Sequence, residues 1–81
     1  MLVKVRLFAR LRELTGKQEL ALVVPEHATA QWLWEQMTLQ YAVLADYDRA
    51  IACAVNEEYV PLPTVLNDGD EVAFLPPVSG G

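Results

Sequence analysis

A chain of 81 residues that is 53% apolar can enclose one compact core and is too short for two. Its net charge of −5 disfavours nucleic acid as a partner, and no apolar run approaches the roughly 20 residues that cross a bilayer. With Cys53 the single cysteine and His27 the single histidine, neither an internal disulfide nor a zinc-type metal site is expected.

Residues 2 to 8 alternate in strand fashion, with Val3, Val5 and Leu7 on a core face and Lys4, Arg6 and Phe8 on the other. Ala9 to Leu14 is a run of good helix formers closed by Thr15-Gly16, which predicts a short helix or helical turn. Glu19 to Val24 reads as a second strand that returns antiparallel to the first and stops at Pro25. Thr29 can cap a longer helix whose apolar positions Ala30, Leu33, Trp34, Met37, Tyr41 and Leu44 recur at three- and four-residue steps. That helix is expected to fade in Asp46-Tyr47-Asp48.

Ala50 to Val55 reads as the next strand, followed by a turn at Asn56-Glu57-Glu58 and a short strand near Tyr59-Val60. Pro61 and Pro63 confine that piece to an edge or loop. Asn67-Asp68-Gly69-Asp70 is a turn signal, and Glu71 to Leu75 predicts a last strand with Val72 and Phe74 facing inward. This order suggests an α+β fold of the β-grasp (ubiquitin-like) type, with a mixed sheet and one main helix. Fold analogy adds the expectation that the first and last strands are parallel neighbours at the sheet centre. A ferredoxin-like sandwich would need a second long helix, which the pattern lacks. The folded domain is read as residues 1–75 and a C-terminal tail as 76–81.

Charge is unevenly distributed along the chain. Five cations against Glu13 give the first 17 residues +4, and Arg49 against ten acids leaves the remainder at −9. Such asymmetry suits steering onto a protein partner, as well as a simple solvated surface. Cys53, in the run Ile51 to Val55, reads as a small buried hydrophobe, since no basic neighbour in sequence would lower its pKa. His27, Glu57 and Glu58 read as surface residues and receive no acid–base role.

After Leu75 the chain runs Pro76-Pro77-Val78-Ser79-Gly80-Gly81. Two prolines end a ladder and stiffen the backbone, whereas two glycines can thread a channel too narrow for a Cβ. Six extended residues at about 3.3–3.6 Å each span roughly 20 Å, enough to reach a neighbour's buried pocket. The chemistry is therefore placed on the carboxylate of Gly81, with Gly80 as spacer. Activation by ATP to an acyl adenylate would make that carboxylate an electrophile, open to sulfur or to an enzyme thiol and then a lysine amine. An inert terminal segment is the opposing reading. Ordering the tail costs backbone entropy, so a docking surface should exist on the domain. Phe8 and Leu75 point away from the core face, and Tyr59 is a third candidate member of an exposed apolar cluster.

The segments Phe8-Ala9-Arg10-Leu11-Arg12-Glu13-Leu14-Thr15-Gly16 and Asn67-Asp68-Gly69-Asp70-Glu71-Val72-Ala73-Phe74-Leu75, with the Pro-Pro-Val-Ser-Gly-Gly ending, resemble the small sulfur-carrier subunits of molybdopterin synthase (the MoaD type). The likeness implies that Gly81 is adenylated by an E1-like enzyme and becomes a 1-thioglycine thiocarboxylate. Its sulfur would come through a persulfide from a sulfurtransferase or cysteine desulfurase. The large subunit of the synthase would then take the tail, with Gly80 and Gly81 in its channel, and sulfur would pass to cyclic pyranopterin monophosphate in molybdenum cofactor biosynthesis. A heterotetramer is implied, with the acid–base groups in the large subunit and no bound cofactor, while the lack of a membrane-length apolar run or signal-peptide pattern gives the expectation of a cytoplasmic location. Phe8, Tyr59 and Leu75 would supply an apolar contact, and Arg12 a charged one. Three alternatives remain open: a thiamine-type sulfur carrier, a ubiquitin-like protein modifier, and a binding module whose tail is inert.

Overall fold

The apolar alternation at the two ends of the chain builds the centre of the sheet. In a computed structural model, which describes residues 1–77, strand β1 (Leu2–Leu7) pairs in parallel with the last strand, β5 (Glu71–Leu75), setting Val5 opposite Val72 and Leu7 opposite Phe74. All four are at most 1% exposed. Strand β2 (Glu19–Val23) returns antiparallel to β1, β3 (Ala52–Val55) lies antiparallel to β5, and β4 (Glu58–Val60) closes the order β2-β1-β5-β3-β4. This mixed sheet with few helices is the expected α+β arrangement, and its central parallel pair is present.

Between β1 and β2 lies helix α1 (Arg10–Thr15), which ends where Gly16 enters the left-handed region at φ 71°. Helix α2 (Ala30–Gln40) starts at Thr29, whose Oγ1 accepts a 3.0 Å bond from the Trp32 N–H. Its Ala30, Leu33, Trp34 and Met37 are buried against one face of the sheet, with Trp34 meeting Phe74 edge to face at 5.1 Å between ring centres. The Trp34 indole N–H is satisfied by Asp48 Oδ1 at 2.8 Å.

The long helix ends earlier than the periodicity suggests. Tyr41 leaves helical geometry (φ −126°, ψ 83°), and a 3₁₀ helix covers Ala42–Tyr47. Three residues per turn keep Tyr41, Leu44 and Tyr47 on one side, so Leu44 still reaches the core while the chain turns toward β3. The Tyr47 carbonyl then accepts from both Ala50 and Ile51, which keeps these two out of the ladder and starts β3 at Ala52 instead of Ala50. The following turn is also tighter than Asn56-Glu57-Glu58. Only Asn56 (φ 51°) and Glu57 (φ 71°) lie between β3 and β4, both with the positive φ of a type I′ hairpin.

Candidate functional site

Helices cover one face of the sheet, and a groove lies on the other. The ladder registers align Arg6 with Ala73, Ala73 with Ala54, and Ala54 with Tyr59, so one row of side chains crosses four strands. The two alanines are short and form a floor between the larger residues. The resulting groove, about 180 Å³, is lined by Arg6, Phe8, Ala54, Glu57, Tyr59, Glu71, Ala73 and Leu75.

Each wall is set by a local feature. Phe8 follows β1 and opens a turn in which its carbonyl accepts from Leu11 N at 3.1 Å, with Ala9 forced to φ 51°, ψ −125°. Tyr59 is carried by the Asn56-Glu57 hairpin and is 73% exposed. Leu75 ends β5 half-buried, so Pro76 and Pro77 leave the sheet from the groove itself. Arg6 caps the opposite side, its guanidinium 5.0 Å from the Phe8 ring centre and its Nη1 3.0 Å from Glu71 Oε1. With both partners of that ion pair more than a third exposed, the pair orients more than it stabilises.

Phe8, Tyr59 and Leu75 are thus brought together as the strand phases suggested. Arg12 is not among them, being exposed on α1. Gly80 and Gly81 lie outside the described residues. Arg6, Glu57, Glu71 and the alanine floor are further parts of the groove that no local motif marks. The period-2 pattern carries that information only once the registers of β1, β5, β3 and β4 are known.

Cys53 is buried, and desolvation pushes its thiol up to about 11, the opposite of what a nucleophilic thiolate needs. His27 is exposed, with φ 67° in the approach to α2. Among the described residues no three His, Cys, Asp or Glu side chains are grouped to hold a metal, and no helix is long and apolar enough to cross a membrane.

Residues 5–81 match the ThiS family. The molybdopterin synthase sulfur carrier subunit of Homo sapiens is 40% identical over 82 residues, covering 98% of this chain and 93% of that protein. The Escherichia coli (strain K12) protein of the same name is 40% identical over 82 residues, covering 99% and 100%. Among solved structures, SAMP1 from Haloferax volcanii superposes with a TM-score of 0.87 at 27% identity, covering all of both chains. A putative molybdopterin converting factor, subunit 1, from Pyrococcus furiosus gives 0.83 at 35% identity, covering 95% and 98%. A chain from the complex of subunits 1 and 2 of the molybdopterin-converting factor of Helicobacter pylori gives 0.71 at 27% identity over all of both chains.

Proposed function

This chain belongs to the ThiS family, its curated relatives are molybdopterin synthase sulfur carrier subunits, and on that premise we propose that Gly81 carries sulfur as a C-terminal thiocarboxylate. The observation that carries the reading is the Phe8–Tyr59–Leu75 groove at the point where β5 ends and the Pro-Pro-Val-Ser-Gly-Gly segment begins. A partner that covers the groove receives the tail at the same time, and the apolar contact offsets the entropy of ordering it.

The chemistry proceeds in balanced steps. The Gly81 carboxylate oxygen attacks the α-phosphorus of ATP in an E1-like enzyme, releasing pyrophosphate and leaving an acyl adenylate. The terminal sulfur of an enzyme persulfide, supplied by a sulfurtransferase or cysteine desulfurase, displaces AMP to give an acyl disulfide. A second enzyme thiol breaks its S–S bond, becomes oxidised to a disulfide and frees the thiocarboxylate. In the large subunit of molybdopterin synthase the thiocarboxylate sulfur forms a carbon–sulfur bond to cyclic pyranopterin monophosphate as the carbon–oxygen bond at that carbon breaks, its oxygen staying on the phosphate, whose ring opens. Water then cleaves the acyl–sulfur bond, returning the carboxylate and leaving sulfur on the pterin. The domain itself acts as a substrate-like subunit and contributes no acid or base.

Production in a host that has the activating machinery should yield a species heavier by about 16 Da, the sulfur-for-oxygen difference, localised to Gly81 by fragmentation. A chain extended by one residue beyond Gly81 should fail to gain this mass and fail to restore cofactor synthesis in cells lacking the native carrier. Full restoration by the extended chain would rule the proposal out. The likeness to SAMP1, a small archaeal modifier protein, favours one second reading, transfer of the Gly81 acyl group to lysine amines. Isopeptide-linked species surviving a denaturing gel would support that alternative.

A further inference from the structure

Strand β2 forms an open edge of the sheet, pairing among the described residues only with β1. Its hydrogen-bonding phase is fixed at both ends. Met1 and Val24 exchange both of their backbone bonds at 2.7 Å, and the Leu7 N–H donates to the Gln18 carbonyl at 3.0 Å. Alternation along an antiparallel ladder therefore turns the N–H and C=O groups of Glu19, Ala21 and Val23 outward. The open stretch is also bounded. Before it, the Lys17 N–H already donates to Thr15 Oγ1 at 3.1 Å, and after it Pro25 has no N–H to give. No proline falls within the stretch, and Val23 is 82% exposed.

Three outward residues in this phase are complementary to themselves. A second β2 laid antiparallel about 4.7–4.9 Å away, with a twofold axis at Ala21, sets Ala21 against Ala21 and Glu19 against Val23, and each such pair exchanges two hydrogen bonds. Moving the axis to Leu20 or Leu22 loses a pair, because Lys17 or Pro25 would have to supply it. The side chains fit the same register. On the helix side Leu20 faces Leu22 of the copy, both half-buried, and Leu22 lines a cleft of about 400 Å³ whose α2 wall includes Trp32 and Leu39, the latter 79% exposed. On the other side Val23 meets Glu19, whose carboxylate lies 3.8 Å from Lys4 Nζ and whose ladder partner is Arg6. The two Glu19 residues stand about 13 Å apart along the strands, beyond the screening length of about 8 Å at physiological salt. The charges at the strand's ends are of opposite sign. Exposed Lys17 precedes β2 and exposed Glu26 follows it, so antiparallel pairing brings each toward the other on the copy.

We propose that the β2 edge is a homodimer interface, at which two copies of this chain pair antiparallel about Ala21 and join their sheets. Any extended segment could satisfy the outward backbone groups. A second copy is favoured because the twofold axis doubles the leucine contact and both Lys17–Glu26 approaches while keeping the acids of β2 apart. No residue of β2 lines the Phe8–Tyr59–Leu75 groove, so the dimer leaves that groove open and the pairing is separable from its use.

The test is sedimentation equilibrium of the whole chain at physiological ionic strength, where the net charge of −5 on each copy is largely screened. A reversible monomer–dimer equilibrium with a Kd between about 1 μM and about 1 mM is expected. In a mixture of isotope-labelled and unlabelled chains, intermolecular NMR contacts should join Leu20 of one copy to Leu22 of the other, and amide exchange at Glu19, Ala21 and Val23 should slow as concentration rises. The exposed Val23 can be changed without opening the core. Val23→Glu sets a second acid against Glu19 on both sides of the axis and Val23→Lys sets a cation there, so the lysine variant should dimerise at least about tenfold more tightly than the glutamate variant. Gln31→Glu and Gln31→Lys, on an exposed position of α2 beside Glu35 and Leu62, change the net charge equally and should differ by less than about twofold. A chain still monomeric at about 1 mM, a dimer whose contacts lie at Phe8, Tyr59 or Leu75, or equal separations within the Val23 and Gln31 pairs would each overturn the proposal.

Discussion

Arg6 lies over Phe8, its guanidinium carbon 5.0 Å from the ring centre, and so holds the ring upright as a wall of the groove. Truncating the ring should remove a partner contact without removing a core residue, since Phe8 is only half-buried. Phe8→Ala is expected to weaken binding of the large synthase subunit by about 2 kcal/mol, roughly thirtyfold, in isothermal titration calorimetry. Its melting temperature should change little. Arg6→Ala should have a smaller effect, because it removes only the support.

Asp70 ties the turn that precedes β5 to the hairpin between β3 and β4. Its carboxylate, 8% exposed, accepts from Asn67 N at 2.7 Å and from Asn56 Nδ2 at 2.9 Å, while Asn56 Oδ1 accepts from Glu71 N at 3.0 Å. Asp70→Ala removes the acceptor of both donors in a partly buried site. The cost should be about 1–3 kcal/mol in urea unfolding, and Asp70→Asn should recover part of it because one amide oxygen can still accept.

Alternation at Val3, Val5, Leu7, Val72 and Phe74 specified the central strands because period-2 burial is a local property of sequence. Thr29 and Gly16 were likewise legible, since capping chemistry belongs to particular residue types. The break at Tyr41 was not, because either winding would carry Leu44 inward and only packing toward β3 decides between them. Nor do Ala9 and Glu57 announce the positive φ each adopts, as that conformation normally calls for glycine or asparagine. The groove was half legible: its apolar walls follow from strand phase, whereas its floor depends on Ala54 and Ala73 meeting across strands 19 residues apart in sequence.

Ala9 occupies the first central position of the Phe8–Leu11 turn with φ 51° and ψ −125°, a region that favours glycine. An L-residue there costs about 1–3 kcal/mol, and the extra freedom glycine gives the unfolded chain returns about 0.4–1 kcal/mol of that advantage. Ala9→Gly should therefore stabilise the domain by about 1 kcal/mol, raising the melting temperature by roughly 4–8 °C. The backbone around Phe8 should be unchanged, so affinity for the large subunit should hold. A lower melting temperature would show that the turn is not strained.

Burial lifts the Cys53 thiol from 9.0 to about 11, and the sign of its effect on stability follows from which state holds the proton. Below about pH 9 the thiol is protonated in both states and the contribution is fully present. Between about 9 and 11 the unfolded chain releases the proton while the folded one retains it, so stability falls by up to about 1.4 kcal/mol per pH unit as pH rises. Cys53→Ala removes this titration and leaves the three tyrosines in place. Urea unfolding of both proteins across this range should show a shallower alkaline decline for the variant, whatever its stability at neutral pH. Equal slopes would mean that Cys53 ionises as easily in the folded chain as in the unfolded one. Native Cys53 should also react slowly with a thiol reagent near neutral pH, because modification must wait for the sheet to open.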